Sequence, residues 1–457
     1  MDSDPDRPLG PVWRRARRAA MGGPYAKHVS VADRSAVGTP RDVAMSTPLA
    51  PRIRHAADGD WPLIRTIDER AFGFSTASER ELERKLFEFD RSVLAELDGA
   101  TVGLGSIYSL TMGVPGGAQV PTAGVTWVGV QVTHRRRGVL TAMMRQMVDD
   151  TRDRGSEPLM ALYASDPGIY GRYGYGIATR SLAVSVPTNR GQLSWAADRE
   201  PGLTVRMAEP SEVRQEISAL AERVAAYRAG GIVRSEAFWD AHLEDDPSDR
   251  GGYSAARALI VDDADGPRAY ALFRTKNDWT EPVGAGELLV RELGCIDAQA
   301  SALLWSTLLG HDLIGKVSVR NLPVDDPLMW LLGDPRSPKA WIKDGLQVRI
   351  VDVAAALEAR TYAAPIDVVL DLDDPFAPWC AGRYRLTAGP DGASCTRSND
   401  AADLALGAAE LGAVYLGGTS LSVLADAGRV RELTEGAVNA TSRALLEARA
   451  PWCPLFF

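Results

Sequence analysis

One stretch restricts this chain more than any other: Val132-Thr-His-Arg-Arg-Arg-Gly-Val-Leu140, because of what flanks it. Before it, Thr122 to Val130 is apolar and rich in β-branched residues, which predicts a buried strand. After it, Val139, Leu140, Met143, Met144, Met147 and Val148 recur at i, i+3, i+4 spacing, with Arg145, Gln146, Asp149 and Asp150 opposite. That periodicity predicts an amphipathic helix, and Gly155 stands where a C-cap glycine belongs. A strand, a short basic loop with one glycine and a helix N-terminus together form an anion site. Loop amides and the helix dipole point at the anion, glycine permits close backbone approach, and arginines add charge. The plainer alternative is a solvated basic turn between a core strand and a surface helix.

A second segment adds weight to the first. Leu159-Met-Ala-Leu-Tyr-Ala-Ser165 reads as the next buried strand, running into Asp166-Pro-Gly-Ile-Tyr-Gly-Arg-Tyr-Gly-Tyr-Gly176 with its three closely spaced tyrosines. This order of strand, arginine–glycine loop, helix, strand and tyrosine segment resembles the acetyl-CoA core of the GNAT acyltransferases. Their loop pattern is Arg or Gln, two residues, Gly, one residue, then Gly or Ala. Arg135 and Gly138 fit it, and Leu140 departs from its last position. With the unbroken triple arginine and the Ile-Tyr-Gly-Arg run, residues 50–457 resemble one family, the enhanced intracellular survival (Eis) acetyltransferases.

The resemblance implies an α+β chain with tandem GNAT-like domains followed by a sterol-carrier-like C-terminal domain. Residues 45–190 would form the acetyl-CoA-binding domain, 191–345 a second GNAT-like domain without cofactor, and 346–457 the sterol-carrier-like domain. It also implies a homohexamer and a cytoplasmic location.

Composition agrees with such a chain. A length of 457 residues suggests about three domains. An apolar share of 45% and a charged share of 24% are those of a globular protein. No run of ~18 apolar residues predicts a membrane span. Cys295, Cys380, Cys395 and Cys453 are scattered without a C-x-x-C pair, which predicts reduced thiols and no zinc or other metal site. A net charge of −9 argues against a nucleic-acid partner. Residues 1–44 hold eight Lys/Arg and five Asp among Pro, Gly and Ser, and are expected to be a disordered extension.

Helices are predicted at 61–72, 78–87, 211–228, 298–309, 420–425 and 439–448. Strands are predicted at 91–97, 101–110, 180–187, 257–261, 268–274, 286–296, 366–373, 382–388 and 392–397, from alternation and turn residues. A polar linker is expected to run to about Pro201.

Acetyl transfer from a thioester to an amine needs three things. The carbonyl must be held and polarised, the ammonium must lose a proton, and the departing thiolate must gain one. By the resemblance, Val128, Gly129 and Val130 would receive the pantetheine of acetyl-CoA. Arg136, Arg137, Gly138, Val139, Leu140 and Thr141 would cradle the pyrophosphate, and Ser165 and Asp166 would touch the cofactor again. Tyr170 would be the proton donor, while Tyr173 and Tyr175 are expected to pack in a glycine-rich turn. The proton acceptor would be the terminal carboxylate of Phe457, an assignment that rests on the resemblance alone.

An apolar terminus also invites burial, and either Phe456 or Phe457 would gain about 1.5–3 kcal/mol from it. Three positions depart from the family: Phe456 where an acidic residue is expected, Ala71-Phe-Gly-Phe-Ser75 without a carboxylate, and Tyr163 where histidine is common. These departures predict a shifted or narrower amine preference, with aminoglycosides, polyamines and lysine side chains as the acceptor classes. The alternatives are an acetyl-CoA-binding regulator with an inactive amine pocket, and a lipid- or sterol-binding carrier.

Overall fold

The structure is a computed structural model that describes residues 50–73, 80–194, 202–278 and 285–457. The expected extension at 1–44, Ser75, the start of the helix predicted from residue 78, and most of the linker before residue 202 lie outside the described residues.

Among the described residues the strands form three sheets. The first has the order Arg52–His55, Val93–Leu97, Ala100–Gly113, Gln119–Val130, Leu159–Tyr163, Leu346–Ile350, Gly176–Ile177. The second runs Lys339–Asp344, Arg180–Pro187, Ile314–Pro323, Gly286–Cys295, Gly266–Lys276, Arg257–Asp263, Thr204–Ala208. The third, Gly392–Arg397, Gly382–Gly389, Ile366–Asp373, Leu404–Gly407, Val430–Glu432, is built entirely from the C-terminal part.

The first two sheets exchange strands across the expected cuts at 190 and 345. Arg180–Pro187 leaves the first region and pairs antiparallel with Ile314–Pro323 and Lys339–Asp344 of the second. Leu346–Ile350 returns to the first sheet, antiparallel to Leu159–Tyr163. Each excursion satisfies a strand edge that would otherwise present unpaired backbone groups.

The helix predicted after the basic loop spans Val139–Arg154 and buries Val139, Met143, Met144, Met147 and Val148 on the first sheet. Gly103 and Gly105 of the strand beneath allow the approach. A Cβ at Gly103 would lie 2.9 Å from both Met143 Sδ and Val139 Cγ1. Gly155, at φ 67°, ends the helix as expected. In the second sheet, Ala298–Leu309 is the covering helix, with Ala300, Leu304, Trp305 and Leu308 buried. The ambiguous stretch after Leu404 resolves into the strand Leu404–Gly407 and the helix Ala408–Tyr415.

The third sheet is fastened to the first by a buried ion pair. Arg349 Nη2 lies 2.7 Å from Asp374 Oδ2, with both side chains at most 1% exposed. The same guanidinium donates to the Tyr173 carbonyl, while Asp374 Oδ1 accepts from the Ala377 amide at 2.8 Å. Tyr173 and Phe376 meet edge to face, and the Arg145 guanidinium lies 3.7 Å from the Phe376 ring centroid. The tyrosine segment is therefore positioned from the C-terminal region. Replacing Arg349 by Met leaves a buried carboxylate without its cation, which costs about 3–5 kcal/mol. Arg349→Met is expected to lower the thermal unfolding midpoint clearly; an unchanged midpoint would mean the pair contributes nothing to stability.

Candidate active site

The strands Gln119–Val130 and Leu159–Tyr163 pair in parallel only from Thr122 with Leu159 to Val125 with Leu162. Beyond that they separate, because the first carries a bulge. Its pairing with Ala100–Gly113 slips between Leu104 and Ser106, opposite Trp127, whose φ is 55°. A bulky residue in the left-handed region costs on the order of 1–3 kcal/mol and persists only where its surroundings hold it. Here Trp127 Nε1 donates to Tyr108 Oη at 2.8 Å. Its ring meets Trp61 and Phe87 edge to face at 5.9 and 5.4 Å, and the Arg80 guanidinium lies over it at 4.7 Å. The splay leaves one edge of Val128, Gly129 and Val130 without a neighbouring strand among the described residues.

At the end of that edge lies the basic loop. Gly138 has φ 80° and open space around its Cα, and Arg136 is also left-handed at φ 62°. Gly138 is the N-cap of Val139–Arg154 and brings no side chain to the first-turn amides, which remain available to an anion. Arg136 and Arg137 are exposed; Arg137 pairs with Asp98 at 2.7 Å, a solvent-screened surface pair readily exchanged for phosphate. Thr141 Oγ1 sits 3.0 Å from Tyr173 Oη, and Leu140 is half-buried. The helix Ala298–Leu309 differs: Asp297 Oδ1 accepts from the Ala300 amide at 2.9 Å, so its N-terminus already carries a carboxylate. The residues around Gly138 thus fit a diphosphate, and the open strand edge beside them fits an extended amide chain.

Where the strands part, a cavity of about 550 Å³ opens. Val128, Ser165, Tyr170 and Phe457 all line it, so the expected donor and the end of the sequence face one space. Asp166 does not line it; its carboxylate accepts from the Gly168 amide at 3.1 Å in the turn leading to Tyr170. Tyr173 and Tyr175 are buried as packing groups, each 2% exposed. Burial, with smaller contributions from Tyr173 and Asp166, pushes the Tyr170 hydroxyl up to about 12, so it stays protonated at neutral pH.

The terminal segment is held as an inlay. Tyr163 Oη donates to the Cys453 carbonyl at 2.9 Å, and Asn321 Nδ2 donates to the same oxygen at 3.1 Å. Trp452 N donates to the Ala229 carbonyl at 2.9 Å. Arg228 Nη1 donates to the Ala450 carbonyl at 2.9 Å, and the Ala450 amide donates to Asp325 Oδ2 at 2.9 Å. Of the two terminal rings, Phe456 is 76% exposed, and Trp452, Cys453 and Leu455 are the buried anchors. Phe457 is half-buried, its ring 5.7 Å from that of Tyr163. Tyr163, noted in the sequence only as a departure, is thus the residue that clamps the tail.

Sequence reasoning also missed four charged residues of the cavity wall: Asp68, Arg80, Glu83 and Arg291. Arg80 Nη1 lies 2.8 Å from Asp68 Oδ2, and its Nε pairs with Glu83. Burial pushes the Asp68 carboxyl above its ordinary value in spite of Arg80. Asp68 is one turn before Ala71 on the helix Trp61–Phe72, so a helical projection would have brought it to the segment found wanting in acid.

Residues 52–178 match the family described as acetyltransferase (GNAT) domain, residues 230–350 match a second family of that description, and residues 353–454 match the sterol carrier protein domain family. Fold and site together define a GNAT acetyltransferase, an enzyme class whose donor is acetyl-CoA, here with a second GNAT domain and a sterol-carrier-like domain. An N-acetyltransferase Eis of Mycobacterium bovis is 36% identical over 388 residues, 82% of this chain and 91% of that relative. A Streptomyces avermitilis protein described as an N-acetyltransferase is 44% identical over 406 residues, 88% of this chain and 98% of the relative. The crystal structure of Eis1 from Mycobacterium abscessus superposes with a TM-score of 0.75 at 30% identity, covering 89% of this chain and 100% of that one. The chain belongs to the Eis family of N-acetyltransferases.

Tyr163→Phe keeps the ring and removes one donor from the Cys453 carbonyl. It is expected to lower kcat about three- to tenfold, the worth of one hydrogen bond, with acetyl-CoA affinity unchanged. Equal kcat in both proteins would show that the tail is positioned without this bond.

Proposed function

We propose that the chain transfers the acetyl group of acetyl-CoA directly to a primary amine, with Tyr170 as proton donor and the α-carboxylate of Phe457 as proton acceptor. The carrying observation is that Tyr170 and Phe457 line one cavity, which Val128 of the open edge lines as well. The acceptor classes are an aminoglycoside, a polyamine-like molecule or a lysine side chain. The two carboxylates of the wall, Asp68 and Glu83, are both paired with Arg80, which supports a narrower preference than one for polycations. The homohexamer and the cytoplasmic location implied by the resemblance belong to the same proposal.

In this reading Val128, Gly129 and Val130 orient the donor chain and polarise the thioester oxygen. Arg136, Arg137, Gly138 and the first-turn amides of Val139, Leu140 and Thr141 bind the pyrophosphate, and Ser165 and Asp166 flank the cofactor on the opposite strand. The Phe457 carboxylate takes the ammonium proton, and the freed amine attacks the carbonyl. As the C–N bond forms and the C–S bond breaks, Tyr170 gives its proton to the departing sulfur. A phenol fits that role because it is protonated across the working range and sits where water is scarce.

Thiol release from acetyl-CoA by protein with a free C-terminus, over aminoglycosides, polyamines and lysine peptides, tests the reading. Tyr170→Phe is expected to lower kcat about 100-fold or more while acetyl-CoA still binds. One residue added after Phe457 is expected to have the same split effect, and full activity of the extended protein would remove the carboxylate from the mechanism.

The pH profile gives an independent check. The Tyr170 value is raised, so the donor form is complete below pH 10 and is lost only as pH approaches about 12. Rate should therefore climb with pH as the acceptor ammonium deprotonates, with no alkaline decline below pH 10. A decline centred between pH 8 and 9 in wild type, absent from Tyr170→Phe, would contradict the buried phenol as donor.

A further inference from the structure

The wall of the acceptor cavity opposite the first sheet comes from the helix Glu236–Leu243 and the strand Gly286–Cys295. From these, Phe238, Ala241, His242 and Arg291 reach the cavity. Arg291 is half-buried, and its one hydrogen bond among the described residues runs from Nη2 to the His242 carbonyl at 3.1 Å. No carboxylate forms an ion pair with it among those residues. A guanidinium carries five donors, and a desolvated one is ordinarily matched by a carboxylate or phosphate.

The nearby acids are committed elsewhere. Glu292, its neighbour on the strand, is buried on the other face, where Arg234 holds both its oxygens at 3.0 Å and His242 Nε2 lies 2.9 Å away. Asp245 is taken by Arg250 and Arg274 and accepts from the Ala256 amide at 2.9 Å. Burial first, and then the adjacent Arg274, pull the Arg291 guanidinium below its ordinary value, against the opposing pull of Asp245 and Glu292. Arg80, the other arginine of the cavity, is already shared by Asp68 and Glu83. Among the described residues the cavity therefore presents one guanidinium, that of Arg291, without an ion pair.

We infer that the acceptor is an amine that also carries an oxyanion, a carboxylate or a phosphate, and that Arg291 binds this group while the amine lies toward Tyr170 and Phe457. The inference rests on the acetyltransferase reading and narrows its acceptor class: an amino-acid-like molecule fits, and a polycation does not. Arg291 is then a specificity-determining residue. It forms a charge-assisted pair with a part of the acceptor that takes no part in bond making. Its contribution is to KM and to the choice between substrates rather than to the chemical step.

The test compares acceptors that differ only in the anion: lysine against cadaverine, and 6-aminohexanoate against 6-aminohexanamide. Wild type is expected to favour the carboxylate member of each pair by about tenfold or more in kcat/KM, the worth of one hydrogen-bonded charge pair. Arg291→Met should erase that preference by weakening the carboxylate acceptors alone, and Arg291→Lys should keep part of it. Equal turnover of both members of each pair by wild type would overturn the inference and leave the acetyltransferase standing. Should no amine be turned over, the acetyltransferase reading fails by itself. Calorimetric titration with 6-acetamidohexanoate against its amide then decides the anion site: binding of the acid alone, lost in Arg291→Met, sustains it, and equal or absent binding ends it.

Discussion

The bulge at Trp127 is the constraint on which the rest of the site depends. The bulge stands where Gln119–Val130 stops pairing with Leu159–Tyr163, and the open edge and the cavity begin there. The strained conformation is held by an aromatic group drawn from the first helix, from Phe87 and from the sheet itself, with the hydroxyl of Tyr108 fixing the indole nitrogen. Trp127, the centre of that cluster, also lines the cavity, so the packing that holds the bulge stands at the edge of the site itself. The same cluster explains why the first helix is present at all, since its buried residues Trp61, Ile64 and Ile67 face this region.

The opened cavity is closed from the far end of the chain. Tyr163, the last residue of the splayed strand, and Asn321, from the second sheet, donate to one carbonyl of the terminal segment. A tail of this kind normally frays into water. It is ordered here because its backbone polar groups find partners on both sheets while Trp452, Cys453 and Leu455 supply the apolar burial. The third domain holds the other side. Through Arg349 and Asp374 it fixes the turn that carries Tyr173, three residues from Tyr170. Two groups distant in sequence thus come to line one space, each fixed by a different neighbour.

The legible parts of this arrangement were those with a period or a turn signal. The helix Val139–Arg154, its capping glycines and the strands on either side follow from apolar spacing, and the loop chemistry follows from them. Leu346–Ile350 escaped because Gln347 and Arg349 interrupt its apolar run, although all five residues are buried. A buried arginine reads as a surface residue until its partner is known, and Asp374 lies in another domain. Tyr163 escaped as a clamp for the same reason, since its partner is a backbone carbonyl that any residue at position 453 would supply. Which of Phe456 and Phe457 turns inward stayed open in the sequence, because side-chain hydrophobicity does not say which of two adjacent rings is buried.

Charge in the acceptor cavity is arranged by pairing more than by composition. Counting residues would credit the wall with two acids, yet Asp68 and Glu83 are both occupied by Arg80, whose guanidinium is itself pinned over Trp127. What remains unpaired is Arg291, whose neighbouring carboxylates serve Arg234, Arg250 and Arg274. Among the described residues, a polycationic acceptor would have to displace Arg80 from its partners and tolerate Arg291. In a partly desolvated cavity like-charge contacts cost several kcal/mol, so pairing matters more than the number of charged residues. Pairing among Asp68, Glu83 and Arg80 on one wall, and the lack of an ion pair at Arg291 among the described residues on the other, is the charge pattern from which the proposed acceptor preference is argued.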